Sequence, residues 1–420
     1  MQEPEAWNWE PGEKSVPFDS WQNQYQWVEE PQASPDGEQV AAIVKQDEAE
    51  FTVCVNGEAW EPSFEKIWHL RYSPDGRLAA LVADTGAWTV ACDGIPWENQ
   101  FDYAWDLRFS PDGAHIAVCI QQAMRYAMAV DDTPWADTFS NLTDPVFNTN
   151  HLHSAATVQV ADFGEGEIHK FQEGAFSAAC NGKPWNEKFI NVWSKTFSPD
   201  GQHLAAEVRI NLYEYTIAVN GQPWQETYEG IWSPVFHPQT GAVLAPVRKG
   251  GKWFLAQDGQ PLWDQSFVQI WNPCFAPEGD RLAAIVAPRF GRWTLAVDGT
   301  PWSTTVGDLL SDPRFSPDGE RLAAVAKNGD VYTILADDKL WTQRGEMAFP
   351  PVFSPDSRYL AARMELGDGY TIIVDDRPWN RRCQWLWDPV FSPDGKHLLI
   401  RSVEKGVYHR RVIPTAEIAG

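Results

Sequence analysis

Positive charge is scarce in this 420-residue chain. Lys and Arg together number 33 against 58 Asp and Glu, which leaves a net charge of −25. Such a surface repels phosphate backbones and anionic lipid headgroups. It argues against nucleic acid and against direct membrane insertion, and it favours a basic partner surface. Long hydrophobic runs are also missing, for nothing approaches the roughly 18 consecutive apolar residues of a membrane-spanning helix. The first 20 residues have neither a basic n-region nor an apolar h-region, so the expected location is cytoplasmic. Cys54, Cys92, Cys119, Cys180, Cys274 and Cys383 show no Cys-x-x-Cys or zinc spacing. They are expected as small buried residues of a reducing compartment, without disulfides.

The familiar catalytic signatures are absent too. No Gly-x-Ser-x-Gly elbow, Gly-x-x-x-x-Gly-Lys loop, Gly-x-Gly-x-x-Gly, His-Glu-x-x-His or Cys-x-x-Cys-His occurs. His151 and His153 stand two residues apart, but no third ligand falls in register for a metal. The expectation is a non-enzyme without cofactor or metal.

What the chain has in excess is tryptophan, 23 residues of it. Most of it recurs in a repeat marked by Ser-Pro-Asp-Gly. The marker begins at Ser34, Ser73, Ser110, Ser198, Ser316, Ser354 and Ser392, with degenerate copies at Asn148, His237 and Ala276. Successive markers lie roughly 40 residues apart, with about ten more at one place, which makes ten units with one insertion. Pro presets φ in this turn, Asp bonds its own backbone, and Gly takes the left-handed conformation. The repeated acids, Asp36 to Asp394, are therefore turn residues rather than catalytic ones. An aromatic-led strand follows and ends in Asn-Gly, Asp-Gly or Asp-Asp, as at Asn56-Gly57 and Asp131-Asp132. Such pairs accept the positive φ of a two-residue hairpin.

Four short strands in about 40 residues make one propeller blade. The predicted fold is all-β, a propeller of about ten blades. Its alternative is two five-bladed propellers split near the fourth unit. Trp21, Trp60, Trp97, Trp135, Trp185, Trp224, Trp263, Trp302, Trp341 and Trp379 form one column, and Trp68, Trp105, Trp193, Trp232, Trp271 and Trp387 a second. Rings of this size are expected to fill the wedges between blades. Both chain ends carry partial units, each supplying what the other lacks. One ring closed by a shared blade is expected, with the N-terminal strand completing the last. The domain reading is a tail over 1–20, a propeller over 21–413 and a short tail over 414–420.

Two features fall outside the repeat. A polar loop, 161–174, is inserted in the fourth unit and offers Asp162, Glu165, Glu167 and His169 as a candidate interaction loop. Trp7, Trp9, Trp27 and Trp385 belong to neither column and are candidate partner anchors. In a closed ring Trp27 and Trp385 fall on neighbouring blades.

The Phe-Ser-Pro-Asp-Gly-x-x-Leu-Ala-Ala element resembles the WD40-like repeat of TolB-type propellers over nearly the whole chain. TolB-type proteins are periplasmic, whereas no export signal is visible here. The tryptophan-rich composition, with Val-Asp-Gly-x-Pro-Trp beside Ser-Pro-Asp-Gly, is similar to the D subunits of the transmembrane electron-transfer (Tmc) complexes of sulfate-reducing bacteria. That resemblance implies a cofactor-free cytoplasmic subunit, peripheral on the membrane through a cytochrome b and an iron–sulfur protein. It carries over no cofactor-binding residue. The alternative function is a propeller that binds a small molecule or peptide at its central channel.

Overall fold

The computed structural model describes residues 6–29, 31–148, 153–162 and 167–420. The strands form ten antiparallel sheets, each with its members in chain order apart from the last. We number these blades 1 to 10. Blade 2 shows the plan with strands Lys66–Tyr72, Leu78–Asp84, Ala87–Cys92 and Ile95–Pro96. The fold is that of a ten-bladed β-propeller.

Each turn does what its residues dictate. Ser34 donates its hydroxyl to the Asp36 carboxylate (2.6 Å), and that carboxylate accepts the Glu38 amide (3.0 Å). The residue that opens the last hairpin sits at positive φ, as Asn56 does at 51° and Asp93 at 49°. Its side chain then accepts the first amide of the second strand. This clamp holds Val40 to Asn56, Leu78 to Asp93, Leu204 to Asn220 and Leu360 to Asp375 at 2.9–3.1 Å. Another recurring bond was not foreseen in the repeat. Thr89, Ser177, Thr216 and Thr294 on third strands each donate to a carbonyl ten residues on, at 2.7–2.8 Å.

The second strands are buried on both faces, which explains runs such as Leu78-Ala-Ala-Leu-Val. The core is a series of wedges. Ala41, Ile43 and Val53 of blade 1 pack with Ile67, Leu78 and Val82 of blade 2. Each buried Leu, Ile or Val contributes roughly 1.5–3 kcal/mol.

The tryptophan columns divide the work. Where the next turn carries glycine, as after Trp60, Trp185 and Trp224, the first-column ring lies against it. A Cβ on Gly221, at φ +84°, would come within 3.1 Å of Trp185 Cβ in the preceding blade. Three second-column rings instead stack inside their own blade, Trp193 on Tyr215 (6.5 Å, 28°), Trp232 on Trp253 (5.6 Å, 13°) and Trp271 on Trp293 (5.4 Å, 23°). The expected wedge filling holds for these first-column rings. The second column falls two strands away from the aromatic column of its own sheet, and these three stack there.

Closure joins the chain ends, with one difference from expectation. Gly12–Val16 pairs with Val407–Pro414, from Gly12 opposite Val412 to Val16 opposite Tyr408, and completes blade 10. This strand lies upstream of Trp21, within the stretch expected to be a tail. Trp21 itself sits in a 3-10 turn, Phe18–Asn23, fully buried with its ring 4.9 Å from Phe18. Its segment lacks the Asn/Asp-Gly strand that would pair it into a sheet. At the other end Ala416–Ala419 forms a helical turn that buries Ile418.

The chain forms two compact units: residues 1–123, 129–134 and 342–420, and residues 124–128 and 135–341. The first contains blades 1, 2, 9, 10 and most of blade 3; the second contains blades 4 to 8. A split into two rings near the fourth unit is not the arrangement, because the first unit joins blades from both chain ends. The insertion of blade 4 falls between its second and third strands and carries a short helix, Ile168–Gln172. No helix among the described residues is long and apolar enough to cross a membrane.

Candidate functional site

Trp27 opens the first strand of blade 1, paired with Lys45, and Trp385 opens that of blade 10, paired with Val403. Register makes these positions equivalent. Lys66, Gln269, Leu309 and Met347 occupy it in other blades. Trp27 is 46% exposed and Trp385 37%. Both line one cleft of about 660 Å³, with Phe18, Val28, Pro31, Ile43 and Leu70 as apolar wall and Gln22, Glu29 and His69 as polar rim. Phe51 holds Trp27 edge-on at 6.2 Å, so part of the ring is fixed while the rest stays open.

Trp7 and Trp9 lie elsewhere in the same unit. Their rings stack at 6.0 Å and border a recess against Pro393 and His397 of blade 10. The Trp7 indole nitrogen is buried without a hydrogen-bond partner. The candidate anchors thus form two pairs rather than one site. In the insertion Asp162 is exposed, and the Glu167 carboxylate pairs with Lys170 at 2.7 Å. Glu165 and the His169 side chain lie outside the described residues, as does His151. His153 places Nδ1 3.0 Å from the Gly201 carbonyl, a contact between blades. Among the described residues no cluster of His, Cys, Asp or Glu could hold a metal, and the cysteines are free. Burial pushes the Cys92 and Cys180 thiols up to about 11, which favours the thiol over the thiolate.

One polar cluster was not anticipated. Lys195 Nζ lies 2.7 Å from Asp144 Oδ2 and 2.6 Å from Thr157 Oγ1, and its side chain is wholly buried. It bridges blade 5 to blade 4. Beside it, burial pushes the Glu207 carboxyl up to about 7; the Ser194 hydroxyl at 3.4 Å opposes the shift and the Asp144 charge adds to it. Lys195 stands where Leu70, Leu107, Pro273 and Pro313 stand in other blades. Glu207 stands where Leu81, Cys119, Ile285 and Val325 stand, with Thr157, Arg363 and Arg401 at the same register in blades 4, 9 and 10. The signal was present in the sequence, Leu-Ala-Ala-Glu-Val against Leu-Ala-Ala-Leu-Val and Leu-Ala-Ala-Ile-Val. A charged group that is buried needs a partner or a shifted pKa, and here Lys195 has the first and Glu207 the second.

No protein-family model matches the chain, and no curated protein matches it. Among solved structures it is similar to a eukaryotic initiation factor, at 14% identity over 79% of this chain and 90% of that one, with a TM-score of 0.48. It is also similar to the Dos1 propeller, at 10% identity over 91% and 92% and a TM-score of 0.35. TolB from Acinetobacter baumannii matches at 13% identity over 57% and 59%, with a TM-score of 0.29. The likeness is one of fold. The resemblance to electron-transfer subunits therefore rests on residues alone.

Proposed function

We propose that this protein is a non-catalytic docking subunit of a larger assembly, and that the cleft between Trp27 and Trp385 is where a protein partner seats. The observation that carries the reading is the pair itself. Two large rings outside the repeat stand exposed at equivalent positions of blades 1 and 10 and share one apolar-walled cleft. Exposed Trp in a cleft with a polar rim is the composition of an interface hot spot. The resemblance of the tryptophan-rich repeat to the D subunits of electron-transfer complexes implies a place for the assembly at the inner face of a membrane, beside a cytochrome b and an iron–sulfur protein. Affinity purification of the full chain from native membranes tests this. The expected result is co-purification of those subunits, lost with Trp27→Ala and Trp385→Ala. Retention of every partner by that double variant overturns the cleft.

A second reading, a propeller that binds a small molecule or peptide, is favoured by the Glu207 cluster. It predicts a ligand whose binding changes with pH near neutrality and disappears in Glu207→Gln.

A further inference from the structure

A hairpin joins the second strand to the third in each of blades 5, 6 and 7. All three lie within one compact unit and carry exposed aromatic and basic side chains. Tyr213 in blade 5 is 81% exposed, and Phe290 at the tip in blade 7 is 92% exposed. Phe290 serves no purpose in its own sheet, since pairing resumes on both sides of it between Val286 and Thr294 and between Arg289 and Arg292. Cations flank the ring. Arg289 and Arg292 stand beside it, and blade 6 presents Arg248, Lys249 and Lys252, all exposed.

Carboxylates also face this edge, and in the next blade Asp308 accepts the Gly329 amide (2.6 Å) while Asp330 stands exposed in the hairpin. Glu226 pairs with Lys249 at 2.9 Å. Glu229 accepts the amides of Gly250 (2.9 Å) and Gly251 (3.2 Å) and stands 3.9 Å from Arg248. Glu214 is held by Asn211 and Thr227. Among the described residues none of these pairs with Lys252, Arg289 or Arg292.

We propose that this edge adsorbs to a lipid surface bearing anionic headgroups. Phe290 and Tyr213 enter the headgroup layer, while Lys252, Arg289 and Arg292 meet the lipid charges. Net charge alone argues the other way. Screening decides the matter: at physiological salt a charge more than about 8 Å away is largely hidden, so the membrane meets the local patch rather than the sum. Each Lys or Arg close to such a surface raises the bound fraction roughly fivefold. A protruding ring at a hairpin end suits a yielding interface, whereas an anchor for a folded acidic partner would sit in a shaped recess.

Flotation of the full chain tests this, with vesicles of phosphatidylcholine alone and of phosphatidylcholine mixed with phosphatidylserine. Binding is expected only where the serine lipid is present, and it weakens as salt rises. Arg289→Glu with Arg292→Glu lowers the partition by at least about tenfold, and Phe290→Ala lowers it several-fold. All three side chains are exposed, so circular dichroism should stay that of the parent protein. No binding to the anionic vesicles, equal binding by the variants, or binding to polyglutamate in place of vesicles overturns the proposal. The Trp27→Ala, Trp385→Ala variant should float as the parent does, so the cleft and this edge stand or fall separately.

Discussion

The carboxylate of Asp338 accepts the backbone amides of Ser303 (3.0 Å) and Thr304 (2.8 Å). A turn residue of blade 8 thereby caps the loop that follows Trp302 in blade 7. Asp132 does the same for Glu98 and Asn99, and Asp376 for Thr342 and Gln343. These are the blades whose turn reads Asp-Asp. Where the turn reads Asn-Gly or Asp-Gly, as at Gly182 and Gly221, the glycine leaves room for the preceding tryptophan. One position thus offers two ways of joining blade to blade.

From this exchange comes the first prediction. Asp338 sits at φ 62°, so Asp338→Gly keeps the backbone and loses the cap, whereas Asp338→Ala loses the cap and adds strain. Removing the carboxylate leaves two amides without their partner, at a cost of about 1–3 kcal/mol. Denaturant midpoints should fall in the order parent, Asp338→Gly, Asp338→Ala. An alanine variant as stable as the parent would show that the cap contributes nothing.

Gly221 and Gly76 separate strain from contact. Both have positive φ, +84° and +92°, but an added Cβ meets Trp185 at 3.1 Å in the first and nothing within 4 Å in the second. Gly76→Ala should therefore lose only about 1–2 kcal/mol for left-handed backbone. Gly221→Ala should lose about 1–3 kcal/mol more, for the crowded ring. Equal losses in thermal unfolding would mean that Trp185 yields freely.

Much of this was legible in the residues because a repeat reports the same environment many times. The Ser-Pro-Asp-Gly marker, the Asn/Asp turn and the complementary ends led to ten blades and a shared last blade. The columns could not say which neighbour a ring meets, since Trp185 and Trp193 have the same chemistry and differ only in strand and facing. Trp21 matches the column by sequence, but the sheet partner that makes the others strands is missing there. Glu207 departs from Leu81 and Ile285 in the sequence, but residue type alone does not separate a buried acid from the many turn acids. The positive φ of Asp106 and Asp312, at 55° and 54° in the bulges of first strands, has no local marker, for Asp does not announce a bulge. The cleft required register, which no single blade supplies.

The closing strand should be the weak seam of the fold. Glu13 takes Arg411 at 3.1 Å and His409 at 2.6 Å, and Lys14 takes Glu38. Arg411 is almost wholly buried and keeps its bond to Glu404 when Glu13 is lost. Glu13→Ala should thus cost about 1–3 kcal/mol rather than the full penalty of an unpaired buried charge. Removing residues 1–16 is more severe, because Val407–Pro414 then offers an open edge to other chains. Size-exclusion chromatography should show the truncated protein associating while Glu13→Ala stays as the parent does.

Acid and base act on opposite groups. Asp394 is lowered to about 2, first by the Ser392 hydroxyl and then by the Lys396 amide, and Asp112 and Asp200 are lowered by the same contacts in their turns. A depressed carboxyl contributes stability above its unfolded value, lost as pH falls through the folded one, so these turns weaken below about pH 4. Glu207 has the reverse sign. Its folded value is raised from 4.5 to about 7, so the folded state binds the extra proton between them and stability declines as pH rises through that window. Glu207→Gln removes the slope. Stability of the variant should match the parent near about pH 4.5 and exceed it at about pH 8.5, by on the order of 1–3 kcal/mol. Denaturant unfolding at the two pH values decides it. A variant that tracks the parent at both would place the Glu207 carboxyl in water rather than buried beside Ser194.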